Sequence, residues 1–281
     1  MIRNLGRRPL IMGIINVTPD SFSGDGMMKH ADYVAAAVHN AMQMVVDGAD
    51  LIDIGGESSR PGAQPISAEE EMCRVVPAIA AIHKEVRVPI AIDTVKAEVA
   101  AVALDAGAAI INDISALSDP AMMKLATAHN AYVVLMHNRA TAEATIEDKR
   151  LGGAYAAPAY GDIVDDVAAA LGERIQAAHA AGIATEKIIA DPGLGFGKTV
   201  EQNLALIERL GELKTRLGVP VLIGPSRKSF IGKILDTPVG ERLEGTAACV
   251  AIGVMHGADI VRVHDVKEMA RVVKMVGAIK K

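Results

Sequence analysis

Apolar residues fall along this chain in short runs, and longer stretches with apolar residues at helical spacing separate those runs. Short runs rich in isoleucine and valine favour buried strands, and the longer amphipathic stretches favour helices. Their regular alternation predicts a parallel sheet in which each strand is followed by a helix. The eight predicted strands cover residues 10–15, 51–54, 90–92, 109–111, 132–136, 188–190, 221–223 and 260–263.

At least six of these runs end abruptly in a polar or glycine-rich cluster, and most residues capable of chemistry lie in those clusters. Polar residues that repeatedly follow the same end of the strands predict a sheet with its functional residues at one face. Eight strands favour closure into a (β/α)8 TIM barrel, because an open sheet would leave edge strands unpaired. In such a barrel the site lies at the C-terminal face. The clusters cover residues 16–20, 55–62, 93–94, 112–113, 191–198 and 224–228.

The stretches between the strands carry helix signals. Ser67 with Glu70 three residues later predicts a capping box, and Asp119 before Pro120 predicts a cap followed by proline in the first turn. Residues 138–158 have little pattern and are predicted to be an excursion loop. We expect one domain over residues 1–281. Helices are predicted over about 31–47, 68–86, 97–106, 162–181, 200–217, 242–256 and 266–279.

Composition narrows the functional classes. The chain has 281 residues, of which 51% are hydrophobic, and this suits a single barrel, which commonly has about 250 residues. A net charge of −5 does not favour nucleic acid binding, which needs a basic face. Cys73 and Cys249 have no CxxC spacing, and we expect two reduced thiols. No signal sequence is evident and no apolar stretch reaches the roughly 18 residues of a membrane span. A cytoplasmic protein is expected.

Three polar residues follow predicted strands 3, 4 and 6. Asp93, Asn112 and Asp191 are each explained equally well as a helix cap when considered alone. Together at one barrel mouth, they favour hydrogen bonds to a flat heterocycle. An Asp carboxylate can accept hydrogen bonds from two neighbouring N–H groups. An Asn side chain offers a carbonyl acceptor and an NH2 donor. This combination suits the 2-amino-4-oxo pyrimidine edge of a guanine or a pterin.

The glycine-rich segment 191–198 invites a nucleotide-loop interpretation that its spacing contradicts. Pro192 stands where the Walker A motif needs its first glycine, and Gly193, Gly195 and Gly197 do not fit the dinucleotide-binding pattern. We expect these glycines to let the backbone pass close to a planar ligand, with Phe196 as one wall.

Cationic residues follow predicted strands 7 and 8. Arg227 and Lys228 lie after one strand, and Arg262 and His264 lie at the end of the next. The loops after strands 7 and 8 of such barrels frequently hold phosphate, so a phosphate-binding role is favoured over a solvated charged face.

The loop after predicted strand 1 offers oxygen ligands. Asn16 and Asp20 suit a hard cation such as Mg²⁺, but they are too few to enclose it, so the metal would bind together with a diphosphate. An Asx-turn next to Pro19 explains the same residues equally well. His137 is interpreted as a packed histidine. No HExxH or GxSxG motif and no Ser-His-Asp order occurs, which argues against zinc hydrolysis and acyl transfer.

Taken together, these motifs resemble the bacterial dihydropteroate synthases. Each motif alone is modest, but their order over residues 10 to the end is highly specific. The motifs are MGIINVTPDSFS at 12–23, DIGGESSRPG at 53–62, IDT at 92–94, NDI at 112–114, MH at 136–137, DPGLGFGK at 191–198, SRKS at 226–229 and RVHD at 262–265.

The resemblance implies a barrel enzyme of folate synthesis that condenses 6-hydroxymethyl-7,8-dihydropterin diphosphate with p-aminobenzoate and releases diphosphate. It places Asp93, Asn112, Asp191 and Lys228 on the pterin; Ser59, Arg60, Arg262 and His264 on the diphosphate; and Asn16 on its Mg²⁺. Phe22, Pro61, Phe196, Lys228 and Ser229 would frame the aminobenzoate site that sulfonamides mimic. It implies catalytic roles for Asp93, Asp191, Lys228, Arg262 and Asp20.

Two other classes remain open. A pterin-binding methyltransferase that serves a corrinoid protein shares the pterin-reading residues but has no use for a diphosphate clamp. A non-catalytic pterin-binding paralogue should have lost loop residues such as Asn16, Asp20 or Arg60, which are present here. The resemblance also implies a homodimer, and the uniformly apolar stretch 246–255 fits a helix covered on more than its barrel face.

Overall fold

A ring of eight parallel strands forms the centre of the protein in this computed structural model. The structure describes residues 2, 4–18, 32–59, 62–140, 144–145 and 154–280. Two further strands pair as a small antiparallel hairpin. The strands are β1 (Leu10–Asn16), β2 (Leu51–Gly55), β3 (Ile90–Asp93), β4 (Ile110–Asp113), β5 (Tyr132–Met136), β6 (Ala144–Thr145), β7 (Ala154–Tyr155), β8 (Ile188–Asp191), β9 (Leu222–Ile223) and β10 (Ile260–Val263).

Helices connect successive strands of the ring and surround it. Two short 3-10 helices, Thr185–Lys187 and Val239–Glu241, precede β8 and the ninth α-helix. The α-helices are α1 (Tyr33–Asp47), α2 (Ala68–Glu85), α3 (Ala97–Asp105), α4 (Pro120–Ala128), α5 (Ile163–Ala180), α6 (Val200–Glu208), α7 (Leu210–Leu217), α8 (Ser229–Leu235), α9 (Leu243–Met255) and α10 (Val266–Ile279).

The ring order is β8, β5, β4, β3, β2, β1, β10 and β9. Ladders join these strands in register, for example Ile14 with Asp53 and Asp93 with Asn112. The remaining joint, between β8 and the start of β9, is a single parallel bridge from Ala190 to Val221. The barrel is therefore closed, with one joint much shorter than the others, and the predicted (β/α)8 fold is confirmed.

Alternation along the strands explains where the core ends and the polar mouth begins. Every second residue points into the barrel, and these side chains form one buried apolar cluster in its interior. Moving two residues further along a strand gives the next inward position, and on most strands the residue type changes there from apolar to polar. Leu51 is followed in this way by Asp53, and Ala91 by Asp93. The corresponding steps on other strands lead to Asn112, Met136, Asp191, Gly224 and Arg262.

The predicted caps at Ser67 and Asp119 are present in the structure, although only the Ser67 side of the predicted capping box is observed. The Ser67 hydroxyl accepts the Glu70 amide at 3.1 Å, and Asp119 accepts the Ala121 amide at 2.8 Å before Pro120. A full capping box also forms at Thr199 and Gln202, which the sequence interpretation had not singled out.

Three elements differ from the expectation. The single helix predicted over 200–217 is divided at Arg209, whose backbone leaves the helical region and whose guanidinium bonds Asp162 and Glu212. α8 follows Lys228 directly, where no helix was predicted. The excursion loop contains the hairpin of β6 and β7. In the part of the chain that is described, no helix combines the length and the apolar character needed to cross a membrane.

Candidate active site

The C-terminal mouth of the barrel contains a cleft that is open to solvent. Seven of the predicted site residues line it together, and they come from the ends of several strands and from the loops that follow them. They are Ser59, Asp93, Asn112, Asp191, Phe196, Lys228 and Arg262. Ile114, Met136, Gly193, Leu194 and Gly224 also line it among the described residues.

The other predicted residues fall into two groups. Asp20, Phe22, Arg60 and Pro61 lie outside the described residues, so their predicted roles stay predictions. Asn16, Ser229 and His264 are half-buried at the same end of the barrel but do not line this cleft.

A fully buried carboxylate lies under the cleft, and the sequence interpretation assigned it no role. Asp53 accepts Arg262 Nε at 2.5 Å and Asn112 Nδ2 at 3.2 Å. Arg262 Nη2 also reaches Asp93 Oδ2 at 2.7 Å. Asp53 therefore orients two residues of the cleft at once. Its signal in the sequence was a charged residue inside the apolar strand Leu51–Gly55, since a buried charge needs a partner.

The charge balance of this cluster moves the pKa values of its members. Burial raises the pKa of Asp93 to about 7, an effect that Asp53 and Glu71 reinforce and that Arg262 opposes. Burial also raises the pKa of Asp191, opposed by the Gly193 amide and by nearby cations. Asp53 and Asp93 outweigh desolvation at Arg262 and raise its pKa, so Arg262 remains a cation.

The glycine-rich loop after β8 packs closely against its surroundings. Gly193 has a φ of +69°, and a Cβ there would lie 2.0 Å from the His137 carbonyl oxygen. Gly195 has a φ of +83° and a Cβ there would lie 3.1 Å from Lys228 Cδ. The loop thus brings the Phe196 ring to 4.2 Å from Lys228 Nζ, a cation–π contact. Phe196 lines the cleft, as the predicted wall would. The close contacts of Gly193 and Gly195 are with His137 and Lys228, so the predicted close passage to a planar ligand stays a prediction.

The loop after β9 directs its two cations differently. Lys228 lines the cleft, whereas Arg227 forms a two-point ion pair with Asp265, with Nη2 to Oδ1 at 2.5 Å and Nε to Oδ2 at 3.0 Å. Arg227 has a φ of +57°, and its amide donates to Thr246 Oγ1 at 3.1 Å. The fully buried Arg242 donates to the Arg227 carbonyl at 3.0 Å. Arg227 therefore braces the loop, which leaves Lys228 as its cation in the cleft.

His264 lies beside this loop. Its Nδ1 is 2.9 Å from Ser226 Oγ, and its backbone amide donates to the same oxygen at 3.2 Å. The loop after β2 is braced separately by Lys96, which contacts Glu57 and donates to Glu71 at 2.6 Å. The Ser226–His264 contact and the Lys96 contacts each hold a loop that carries predicted site residues.

A metal site made by the protein alone is not present at this mouth in the described ranges, where no three His, Cys, Asp or Glu residues cluster with suitable geometry. Asn16 ends β1 and pairs in register with Gly55, so its amide oxygen lies at the same end of the barrel as the cleft. One such oxygen suits Mg²⁺ only when other oxygens come from a bound phosphate group.

Comparison with known proteins decides the family. The family described as pterin binding enzyme matches residues 12–264. The chain belongs to the pterin-binding enzyme family. Within it, the dihydropteroate synthase of Bacillus subtilis is 48% identical over 273 residues, which cover 97% of this chain and 89% of that protein. The predicted membership and the implied transferase activity are thereby confirmed.

Solved structures of pterin-binding enzymes agree with the fold. Yersinia pestis dihydropteroate synthase in a sulfonamide drug complex superposes with a TM-score of 0.89 at 40% identity, covering 100% of this chain and 98% of that one. Xanthomonas albilineans dihydropteroate synthase with 4-aminobenzoic acid gives a TM-score of 0.87 at 40% identity, covering 98% and 94%.

Proposed function

We propose that this protein condenses 6-hydroxymethyl-7,8-dihydropterin diphosphate with p-aminobenzoate to give 7,8-dihydropteroate and diphosphate. It is a transferase of folate synthesis. The observation that supports the residue assignments most directly is the convergence of Asp93, Asn112, Asp191, Lys228 and Arg262 in one cleft at the barrel mouth.

The pterin would lie across the polar layer at the top of the barrel. Asp191 and Asp93 supply carboxylate acceptors for ring N–H groups, and Lys228 supplies a donor for a ring carbonyl. Asn112 donates one amide hydrogen to Asp53, so its Oδ1 and its second hydrogen remain for the ligand. Because Asp53 can only accept when ionised, it fixes which way this amide points.

The leaving diphosphate would lie on the side of Arg262 and His264. Arg262 is held by two carboxylates, which keep it charged and in place before the substrate arrives. A cation fixed in advance stabilises the charge that develops on the leaving oxygen without rearranging during the reaction. Mg²⁺, when bound with Asn16 to the diphosphate, would neutralise further charge on the leaving group.

The aminobenzoate would enter between Phe196 and the start of α8, where Ser229 follows Lys228. No general base is needed, because an aryl amine has a free lone pair. We propose that the C–O bond breaks ahead of amine attack, and that Asp93 and Asp191 stabilise the resulting pterin methylene cation. Diphosphate should then be released slowly even without aminobenzoate; release that depends strictly on the amine would refute this order.

The function is tested by incubating the purified protein with dihydropterin diphosphate, Mg²⁺ and p-aminobenzoate. We expect diphosphate and dihydropteroate in equal amounts, a strong loss with Arg262→Ala, and inhibition by a sulfonamide that competes with aminobenzoate. Pterin binding without turnover would refute the synthase and support a non-catalytic binder. Activity that chelation of Mg²⁺ leaves unchanged would refute the metal proposal alone.

A homodimer through the late helices is proposed for the same protein. Ile234 and Leu235 on α8, and Ile252 and Met255 on α9, are 40–51% exposed although they are large and apolar. These two helices pack against each other, since Gly245 lies against Ile231 and Leu235. Light scattering should give twice the chain mass, and Ile252→Glu should give a monomer. A monomeric native protein at micromolar concentration would contradict the proposal.

We also propose the cytoplasm as the compartment. Cys73 and Cys249 are both free thiols, as expected where glutathione keeps cysteines reduced. Cell fractionation tests this, and recovery from an exported fraction would contradict it.

A further inference from the structure

A lysine is buried inside the glycine-rich loop that borders the cleft. Lys198 is 7% exposed, and its ammonium donates to the carbonyls of Gly193 at 2.9 Å, Phe196 at 3.0 Å and His137 at 3.4 Å. An ammonium has three hydrogens, so this geometry engages all of its donors with main-chain oxygens. The loop is therefore folded around a single charged centre.

Asn203, on α6, ties the same loop from the other side. Its Oδ1 accepts the Gly195 amide at 2.7 Å, and its Nδ2 donates to the Thr199 carbonyl at 2.7 Å and the Lys198 carbonyl at 3.3 Å. Asn203 is 1% exposed. Lys198 and Asn203 thus hold the segment between Asp191 and Thr199 where no strand ladder does. Two further contacts are the Gly193 amide with Asp191 Oδ1 at 2.7 Å and the Tyr160 hydroxyl with the Gly197 carbonyl at 3.1 Å.

The start and the middle of this segment differ in how they are fixed. Asp191 belongs to β8, pairs with Met136 in the ladder, and accepts the His137 amide at 2.9 Å. Phe196 lies in the middle of the loop, and its carbonyl is one of the three that Lys198 holds. Loss of Lys198 should consequently displace the Phe196 ring more than Asp191, because the β8 ladder still holds the Asp191 main chain when the Gly193 carbonyl is released.

We propose that Lys198 is a positioning residue that sets the Phe196 wall of the aminobenzoate site without touching either substrate. This rests on the proposed function, because it assigns Phe196 to the aminobenzoate. Burial lowers the pKa of Lys198 to about 7, so keeping its ammonium charged at this position carries a desolvation cost. An apolar side chain would fill the space more cheaply, but it would leave three buried carbonyls without their donor.

The test compares Lys198→Met and Asn203→Leu with the native enzyme. For both variants we expect the KM for p-aminobenzoate to rise about tenfold, while the Kd for 6-hydroxymethylpterin, measured by calorimetry, stays within about twofold. Lys187→Met is the matched control, because Lys187 also donates to a main-chain carbonyl, that of Asn130 at 2.9 Å, but at the opposite end of the barrel. Its KM should not change.

A double-mutant cycle separates positioning from general loosening. If Lys198 acts through Phe196, the KM effects of Lys198→Met and Phe196→Ala will not add in the double variant. Additive effects, an unchanged aminobenzoate KM, or equal losses of pterin and aminobenzoate binding would each overturn the inference. If Lys198→Met does not fold, Asn203→Leu decides by the same criteria. A native protein without turnover would instead refute the proposed function.

Discussion

The two ends of the barrel use the same residue types in opposite ways. At the N-terminal end, Asp50 accepts the Ile11 amide at 3.0 Å and pairs with Arg8, and Asp259 accepts the Val221 amide at 2.8 Å and pairs with Lys214. Each of these carboxylates joins the start of a strand to a neighbouring element.

At the C-terminal end, the carboxylates instead surround one arginine and face a cleft. Asp53 and Asp93 both contact Arg262, and the pKa values of Asp93 and Asp191 are raised. Charges at the first end are compensated by main chain and local cations. At the second end, Asp53 and Asp93 share Arg262, and Asp93 and Asp191 line the cleft. The comparison indicates that charged residues at the N-terminal end serve stability and those at the C-terminal end serve ligand binding. Four substitutions test this division.

The largest effect is expected for Arg262→Ala. It removes the fixed cation on the leaving-group side, and kcat should fall by about 10² to 10³-fold, as for the loss of other preorganised charge stabilisers. Steady-state kinetics of diphosphate release provide the measurement. Lys214→Ala is the control, since it removes a paired cation from the opposite end and should change kcat less than about twofold. Comparable losses in both variants would break the comparison.

Asp259→Ala should affect stability and not activity. The substitution leaves the buried Val221 amide without its acceptor and removes the carboxylate of the Lys214 ion pair. The free energy of unfolding should therefore fall by about 2–3 kcal/mol. Urea unfolding measures this, with kcat/KM as the second readout. A large decrease in kcat/KM in the folded variant would show that the two ends are not independent.

Asp93 should make stability depend on pH. Because burial raises its folded-state pKa to about 7, above the unfolded value, the folded protein binds more protons between these two values. The contribution of Asp93 to stability is therefore greatest at low pH and is lost as the pH rises through about 7. Asp93→Asn should flatten this slope and weaken pterin binding. An unchanged slope in the variant would contradict the assignment.

The smallest effect is expected for Arg8→Ala. Arg8 is 51% exposed, and its ion pair with Asp50 is screened by solvent, so the loss should be at most about 0.5 kcal/mol. Thermal unfolding at two salt concentrations would detect it. A loss as large as that for Asp259→Ala would mean that exposure does not govern the value of these contacts.

The strand pattern was readable because the strands are short, buried and bounded by polar or glycine-rich clusters. The division of the predicted 200–217 helix was not readable, since Arg209 leaves the helical region where its side chain reaches Asp162, 47 residues away. The hydrophobic periodicity of residues 200–217 gives no sign of this contact with Asp162.

The site residues likewise differ in whether their roles depend on local sequence or on distant partners. Residues at strand ends, such as Asp93 and Asp191, could be found from position and type alone. Asp53 and Lys198 were missed because their roles depend on partners brought together by the fold: Arg262 lies 209 residues from Asp53 in sequence. Their only local signals were a charge within an apolar strand and a lysine that ends a glycine-rich segment.

Because β8 and β9 pair through a single bridge, we expect local opening of the barrel to occur between these two strands first. Ala190 bonds across it to the Pro220 carbonyl at 2.9 Å, and few other ladder bonds have to break for these strands to part. Their loops carry Asp191 and Lys228, so parting the strands would separate two groups that face the pterin. A ligand that contacts both Asp191 and Lys228 would hold the two strands together, so deuterium uptake at the Ala190 amide should slow when the ligand binds.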